Sequence, residues 1–201
     1  YGMTECGPLL TYAPPEESIP HTVGRIVDRM EVKIDSPDPE HIPGNIMVKG
    51  DNVMRGYYKN EEATREVFPH NDGWMNTGDM GTISKDGMIS ISGRSKTMIL
   101  GPSGQNIYPE EIEQKINNMP YVAESLVIDD HGKLVALIVP DTDAATAKGL
   151  STADVDKIMV QNIKDVNKDL ESYSKLSSHR LMDKEFEKTP KRSIKRFLYQ
   201  V

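Results

Sequence analysis

The strongest constraint on this chain's fold is a change of rhythm at Gly93-Arg94-Ser95-Lys96. Before it, short apolar stretches are separated by Gly and Pro every few residues, too closely for long helices. After it, apolar residues recur at helical spacing in two stretches, with strand-like runs between them. Two rhythms predict two units: residues 1–95 built mainly of short strands and turns, and residues 96–201 of mixed strands and helices. The fold class is α+β, a small distorted β-barrel followed by a compact α+β domain.

In the first unit, Pro8, Pro14, Pro15 and Pro20 keep residues 1–21 loop-like. Gly24 to Asp35 reads as one strand and Ile46-Met47-Val48 as another, with Ser36-Pro37-Asp38-Pro39 turning between them. Gly50 to Tyr58 reads as a β-rich bend, and Asn60 as the cap of a short helix ending at Phe68. Trp74 is expected to be a packing anchor. Asn76-Thr77-Gly78-Asp79 reads as a β-turn, and Met80 to Ile91 as a hairpin closed by Ser84-Lys85-Asp86-Gly87.

In the second unit, Thr97 to Leu100 is a short strand and Gly101-Pro102-Ser103-Gly104 a mobile loop. Tyr108-Pro109-Glu110-Glu111 opens a helix, with Pro early and carboxylates in the first turn. Val122 to Asp129 and Leu134 to Val139 are strands around His131-Gly132-Lys133. Ser151 to Leu170 is an amphipathic helix with Val155, Ile158, Met159, Ile163 and Val166 inward, and Arg180 to Met182 a last short strand.

Net charge is −7 over 201 residues, which argues against general nucleic-acid binding. A single cysteine, Cys6, excludes an intramolecular disulfide and a cysteine-cluster metal site. No apolar run is long enough to span a bilayer and no signal peptide is visible, so a cytoplasmic protein is the expectation, with peripheral membrane contact left open. The chain starts at Tyr1 rather than Met, and it reads as a fragment lacking its N-terminal part.

Tyr1-Gly2-Met3-Thr4-Glu5 puts a ring, a hydroxyl and a carboxylate beside a flexible Gly. An adenine can stack on the ring, the hydroxyl can donate to a phosphate, and the carboxylate can hold Mg²⁺ while phosphate oxygens complete its shell. A plain surface loop would read the same way. Asp79 can accept hydrogen bonds from both hydroxyls of a ribose, and Arg94 can reach the sugar or a phosphate. Late in the chain, Arg180, Lys184, Lys188, Lys191, Arg192, Lys195 and Arg196 outnumber the nearby acids. That cluster is either a solvated tail or a contact for a phosphate-rich ligand.

Together with Gly50-Asp51-Asn52-Val53-Met54-Arg55-Gly56-Tyr57 and Gly104-Gln105-Asn106-Ile107-Tyr108-Pro109-Glu110-Glu111-Ile112-Glu113, these motifs stand in an order and spacing that resembles the adenylate-forming superfamily. That superfamily contains acyl-CoA synthetases, luciferases and peptide-synthetase adenylation domains. The resemblance implies an acid–thiol ligase of the long-chain fatty acid–CoA type. A carboxylic acid attacks ATP to give an acyl-adenylate, and CoA then takes the acyl group. Carrier-protein loading and a non-catalytic nucleotide-binding module are the alternatives. By resemblance Tyr1, Thr4, Asp79 and Arg94 bind ATP or AMP, Glu5 holds Mg²⁺, and Gly101, Gly104 and Gln105 form a loop facing CoA. Lys96 is the hinge about which the second unit rotates, although an ordinary exposed loop lysine fits the same position.

The family's tail motif is Pro, a few polar residues, Gly-Lys, then a basic residue. Here the segment is Thr189-Pro190-Lys191-Arg192-Ser193-Ile194-Lys195-Arg196, without the Gly. Registering on the final Arg puts Ser193 at the lysine position, and matching Ser-Gly-Lys puts Lys195 there. Lys191 is a third candidate, and Lys195 is preferred. The family's Gly/Ser/Thr-rich phosphate loop is not in this chain, so the segment alone is not expected to catalyse the full reaction.

Overall fold

Alternation builds the first sheet. Met30 and Ile34 point inward with Val32 half-buried, while Glu31, Lys33 and Asp35 face solvent, the period-two pattern of a strand with one covered face. The computed structural model describes residues 1–190 and 192–200. It divides into two compact units, Tyr1–Lys96 and a second that starts at Thr97.

In the first unit, β1 (Thr11–Tyr12) pairs antiparallel with β2 (Arg25–Ile26). β3 (Met30–Asp35) and β4 (Gly44–Gly50) precede α1 (Glu61–Val67), and β5 (Met75–Ile83) and β6 (Ile89–Arg94) follow it. Strands β3-β4-β5-β6 form one antiparallel sheet in that order. Asn60 caps α1 through its side chain, which accepts the Ala63 N–H at 3.1 Å. Leu10, Ile46, Val48, Met75 and Ile89 form the core, with Cys6 buried among them. Burial raises the Cys6 thiol to about 11, so it packs as an apolar group.

Three expectations are corrected here. The sheet is open: β3 and β6 are its opposite edges, and closure into a barrel would require the two edges to pair. The stretch from Gly24 to Asp35 is two strands, because Arg29 adopts a left-handed φ of 66° that turns the chain between β2 and β3. Asn76 to Asp79 lies within β5 and is not a turn between elements.

In the second unit, β7 (Ile99–Leu100) and β8 (Asn106–Ile107) make a small hairpin before α2 (Pro109–Asn117). Then come β9 (Val122–Asp130), β10 (Lys133–Pro140), α3 (Thr142–Ala147), α4 (Thr152–Val166) and β11 (Leu176–Leu181). β9 and β10 are antiparallel, whereas β11 runs parallel to β10, which requires the crossover supplied by α3 and α4. Ser151 caps α4 in a reciprocal capping box with Asp154. β11 is longer than the predicted Arg180–Met182, and α3 was not foreseen.

β10 is buried on both faces. Leu134, Ala136 and Ile138 pack with Ile112, Ile116, Met159 and Ile163 of the helices. Val135, Leu137 and Val139 pack with Leu126, Ile128 and Phe186. Phe186 is 3% exposed and meets Tyr199 edge-on, with ring centroids 5.2 Å apart. Phe186, with Met182, Ile194 and Tyr199 packed beside it, covers the sheet's second face, while Lys184 and Arg192 of the basic cluster stay exposed. This double burial explains the unbroken apolar run Leu134 to Val139.

Candidate active site

The site in the first unit is built on a bulge. Across β4 and β5, Asn45 pairs with Met80 and Met47 with Asn76, so three residues of β5 stand opposite Ile46 alone. The Thr77 hydroxyl fastens the bulge by donating to the Ile46 carbonyl at 2.9 Å and accepting the Asp79 N–H at 3.1 Å. Gly78 makes the bend possible, with φ at 77°, a left-handed conformation open to glycine. Its N–H donates to Asn76 Oδ1 at 2.8 Å, and its carbonyl accepts from the Ser95 N–H at 3.0 Å.

The bulge sets Asp79 beside two donors. Tyr1 Oη donates to Asp79 Oδ2 at 2.5 Å, and Arg94 Nε lies 3.2 Å from Asp79 Oδ1. Asp79 and Arg94 are register partners on β5 and β6. Asp79 is 8% exposed, whereas the Arg94 side chain is mostly in solvent. Burial raises the Tyr1 phenol above its ordinary value, and the Asp79 acceptor adds to the rise, so Tyr1 stays a neutral donor. Each carboxylate oxygen has a second lone pair, so Asp79 retains acceptor capacity for further hydroxyls.

Thr4 and Glu5 sit on a single 3₁₀ turn, Thr4–Cys6, with Thr4 exposed. Glu5 Oε1 accepts the Tyr57 hydroxyl at 3.0 Å. Among the described residues no group of three His, Cys, Asp or Glu could hold a metal. A lone carboxylate fits a hard cation whose remaining ligands are phosphate oxygens and water. Trp74 is half-buried, and the Lys33 ammonium lies 4.4 Å from its ring centroid. Lys96 is exposed in the turn after β6, with Nζ 3.9 Å from Glu66.

In the second unit, the Gly101 N–H donates to the Gln105 carbonyl at 2.8 Å and closes the β7–β8 hairpin, with Gly104 at its tip. Gly101 and Gln105 line a cleft of about 460 Å³ with Ile99, Lys133, Tyr173 and Lys175. Lys195 belongs to a second turn, where its N–H donates to the Glu187 carbonyl at 2.8 Å and Nζ donates to Glu187 Oε2 at 3.2 Å. Ser193 is exposed, and its N–H donates to Thr189 Oγ1 at 3.3 Å. Lys191 lies outside the described residues.

Sequence reasoning missed the pair behind this turn. Glu113 is 7% exposed, and both its oxygens accept from the Arg196 guanidinium. Burial raises the Glu113 carboxyl, and the Arg196 fork opposes that rise. The signal was available: Glu113 shares the buried stripe of α2 with Pro109, Ile112 and Ile116, where a carboxylate needs a cation.

Residues 1–58 match the family described as AMP-binding enzyme, and residues 96–199 match the AMP-binding enzyme C-terminal domain. The long-chain-fatty-acid–CoA ligase of Yersinia pestis is 37% identical over 154 residues, 72% of this chain and 27% of the relative. The 2-succinylbenzoate–CoA ligase of Bacillus licheniformis is 41% identical over 138 residues, 65% of this chain and 28% of the relative. The structure of O-succinylbenzoate coenzyme A synthetase from Bacillus subtilis with ATP and magnesium ion is similar at a TM-score of 0.79 and 28% identity, covering 98% of this chain and 40% of that one. The chain spans about a quarter of the length of these two curated relatives.

Proposed function

The chain belongs to the AMP-binding enzyme family of adenylate-forming enzymes, and we propose that it is the C-terminal part of an ATP-dependent fatty acyl-CoA synthetase. The observation that carries this reading is the Asp79 carboxylate, buried on a bulge between the Tyr1 hydroxyl and Arg94. It supplies a fixed pair of acceptors beside an aromatic ring and a cation. That set suits a ribose, an adenine and a phosphate in turn.

In this reading Asp79 accepts from the ribose hydroxyls, the Tyr1 ring stacks on the adenine, Arg94 donates to the sugar or a phosphate, and Thr4 donates to a phosphate. Glu5 would hold Mg²⁺, which supplies positive charge to the phosphates when bound. Lys195 offsets the charge that develops as the carboxylic acid attacks the α-phosphate. Lys96 is the hinge about which the unit from Thr97 to the tail rotates, and the Gly101, Gly104 and Gln105 hairpin faces CoA. The movement proposed is of residues 97–201 against residues 1–92.

A fatty acid is the preferred acyl substrate. Support comes from the likeness to a long-chain fatty acid–CoA ligase and from the Thr-Pro tail segment without Gly-Lys. The likeness to a 2-succinylbenzoate–CoA ligase favours a second reading, an aromatic carboxylic acid. The test is product analysis of the full-length protein with ATP, Mg²⁺, CoA and either palmitate or 2-succinylbenzoate. Equal amounts of AMP and palmitoyl-CoA are expected. Turnover of 2-succinylbenzoate alone would select the second reading, and AMP release without any thioester would contradict CoA as acceptor.

A further inference from the structure

We propose that Glu113 and Arg196 are positioning residues that hold Lys195 in register for acyl-adenylate formation, without either touching substrate. The inference rests on Lys195 being the adenylation cation. Arg196 follows Lys195 directly, so wherever the guanidinium is fixed, the backbone of Lys195 is fixed within one residue. Arg196 Nη1 donates to Glu113 Oε1 at 2.8 Å, and Nη2 donates to Glu113 Oε2. A two-point fork fixes orientation as well as distance, which a single ammonium contact does not. Glu113 is itself held, because Oε1 also accepts the Val127 N–H of β9 at 2.7 Å.

The same network reaches the start of the unit. Arg196 Nη2 lies 3.4 Å from Glu110 Oε1, which accepts the Thr97 hydroxyl at 2.6 Å. Thr97 follows Lys96, the proposed hinge. Thr97, Glu110, Arg196 and Glu113 thus tie the first residue of the unit to the residue beside Lys195 through the first turns of α2. A unit braced in this way delivers Lys195 and withdraws it as one rigid part. A tail held only by its own turn, through Glu187 and Lys195, would carry the ammonium loosely. Misplacing a reacting group by about 1 Å can cost about 10²-fold in rate.

The test measures both half-reactions in full-length protein carrying Glu113→Gln, Arg196→Lys or Lys195→Ala, with amide exchange on the same samples. Glu113→Gln and Arg196→Lys should slow acyl-adenylate formation by about 10- to 100-fold. Thioester formation from supplied acyl-adenylate should stay within about twofold in the same proteins. The Lys195 amide should lose protection while the β9–β10 amides keep theirs. If Glu113→Gln does not fold, Arg196→Lys, which keeps the charge and loses the fork, gives the answer. Equal slowing of both half-reactions, or none, overturns the positioning role. If Lys195→Ala slows adenylation and the pair variants do not, the pair is structural and the role of Lys195 stands. If Lys195→Ala leaves adenylation unchanged, the reading of Lys195 fails and this inference fails with it.

Discussion

Tyr1 Oη donates a 2.5 Å hydrogen bond to Asp79 Oδ2 across 78 residues of chain. The bond has a consequence in alkali. Burial and the carboxylate both raise the phenol's pKa. The folded state therefore holds the proton more tightly than the unfolded state. The stabilisation is fully present below the unfolded pKa and is lost as pH rises through the folded one. At pH about 10 an ordinary phenol is half ionised, and Tyr1 should still be neutral. Tyrosinate absorbance of the wild type and of Tyr1→Phe should then coincide. An extra tyrosinate in the wild type would contradict the buried hydrogen bond.

Gly78 gives a second prediction. A Cβ at this position would meet nothing within 4 Å, yet φ is 77°. Strain, not space, decides the outcome. Gly78→Ala should destabilise by about 1–2 kcal/mol and Gly78→Asn by less, since Asn tolerates the left-handed region. Denaturant midpoints of the three proteins check the order. Equal loss for Ala and Asn would point to a different cause.

These two sites show what the sequence made legible. Asn60 caps its helix as the local pattern indicates, because a cap needs only the residues that follow it. The hairpin turn at Ser84 to Gly87 is likewise a local matter. The bulge at Thr77 to Asp79 was not legible, since it is fixed by the Ile46 carbonyl on another strand. Arg29 breaks a strand without any Gly or Pro to announce it. The residues Tyr1, Asp79 and Arg94 were singled out together, and the fold does bring them together. Arg196 and Glu113 were not paired in advance, because 83 residues separate them.

Lys96 is predicted to matter through its backbone. It is exposed, and among the described residues its ammonium lies 3.9 Å from Glu66. Lys96→Ala should therefore leave both half-reactions within about twofold, as for surface substitutions in general. Lys96→Pro fixes φ and removes a donor, and one half-reaction should fall far more than the other. Single-turnover assays of adenylate and thioester formation separate the cases. Equal loss in both would argue against a hinge.

Lys195→Ala should slow acyl-adenylate formation by about 10²–10³ and spare thiol attack on preformed acyl-adenylate. Lys191→Ala, measured beside it, decides the register of the tail. Selective loss in Lys191→Ala alone would move the role to that residue.

The most direct test of the proposed nucleotide site is calorimetric titration of AMP into the full-length protein and its Asp79→Asn variant. The variant keeps the shape of the side chain and loses the charge that both Tyr1 and Arg94 address. If Asp79 is the ribose acceptor, AMP affinity falls by about 1.5–3 kcal/mol, roughly tenfold to 150-fold. Unchanged affinity would contradict the assignment of this site to the nucleotide.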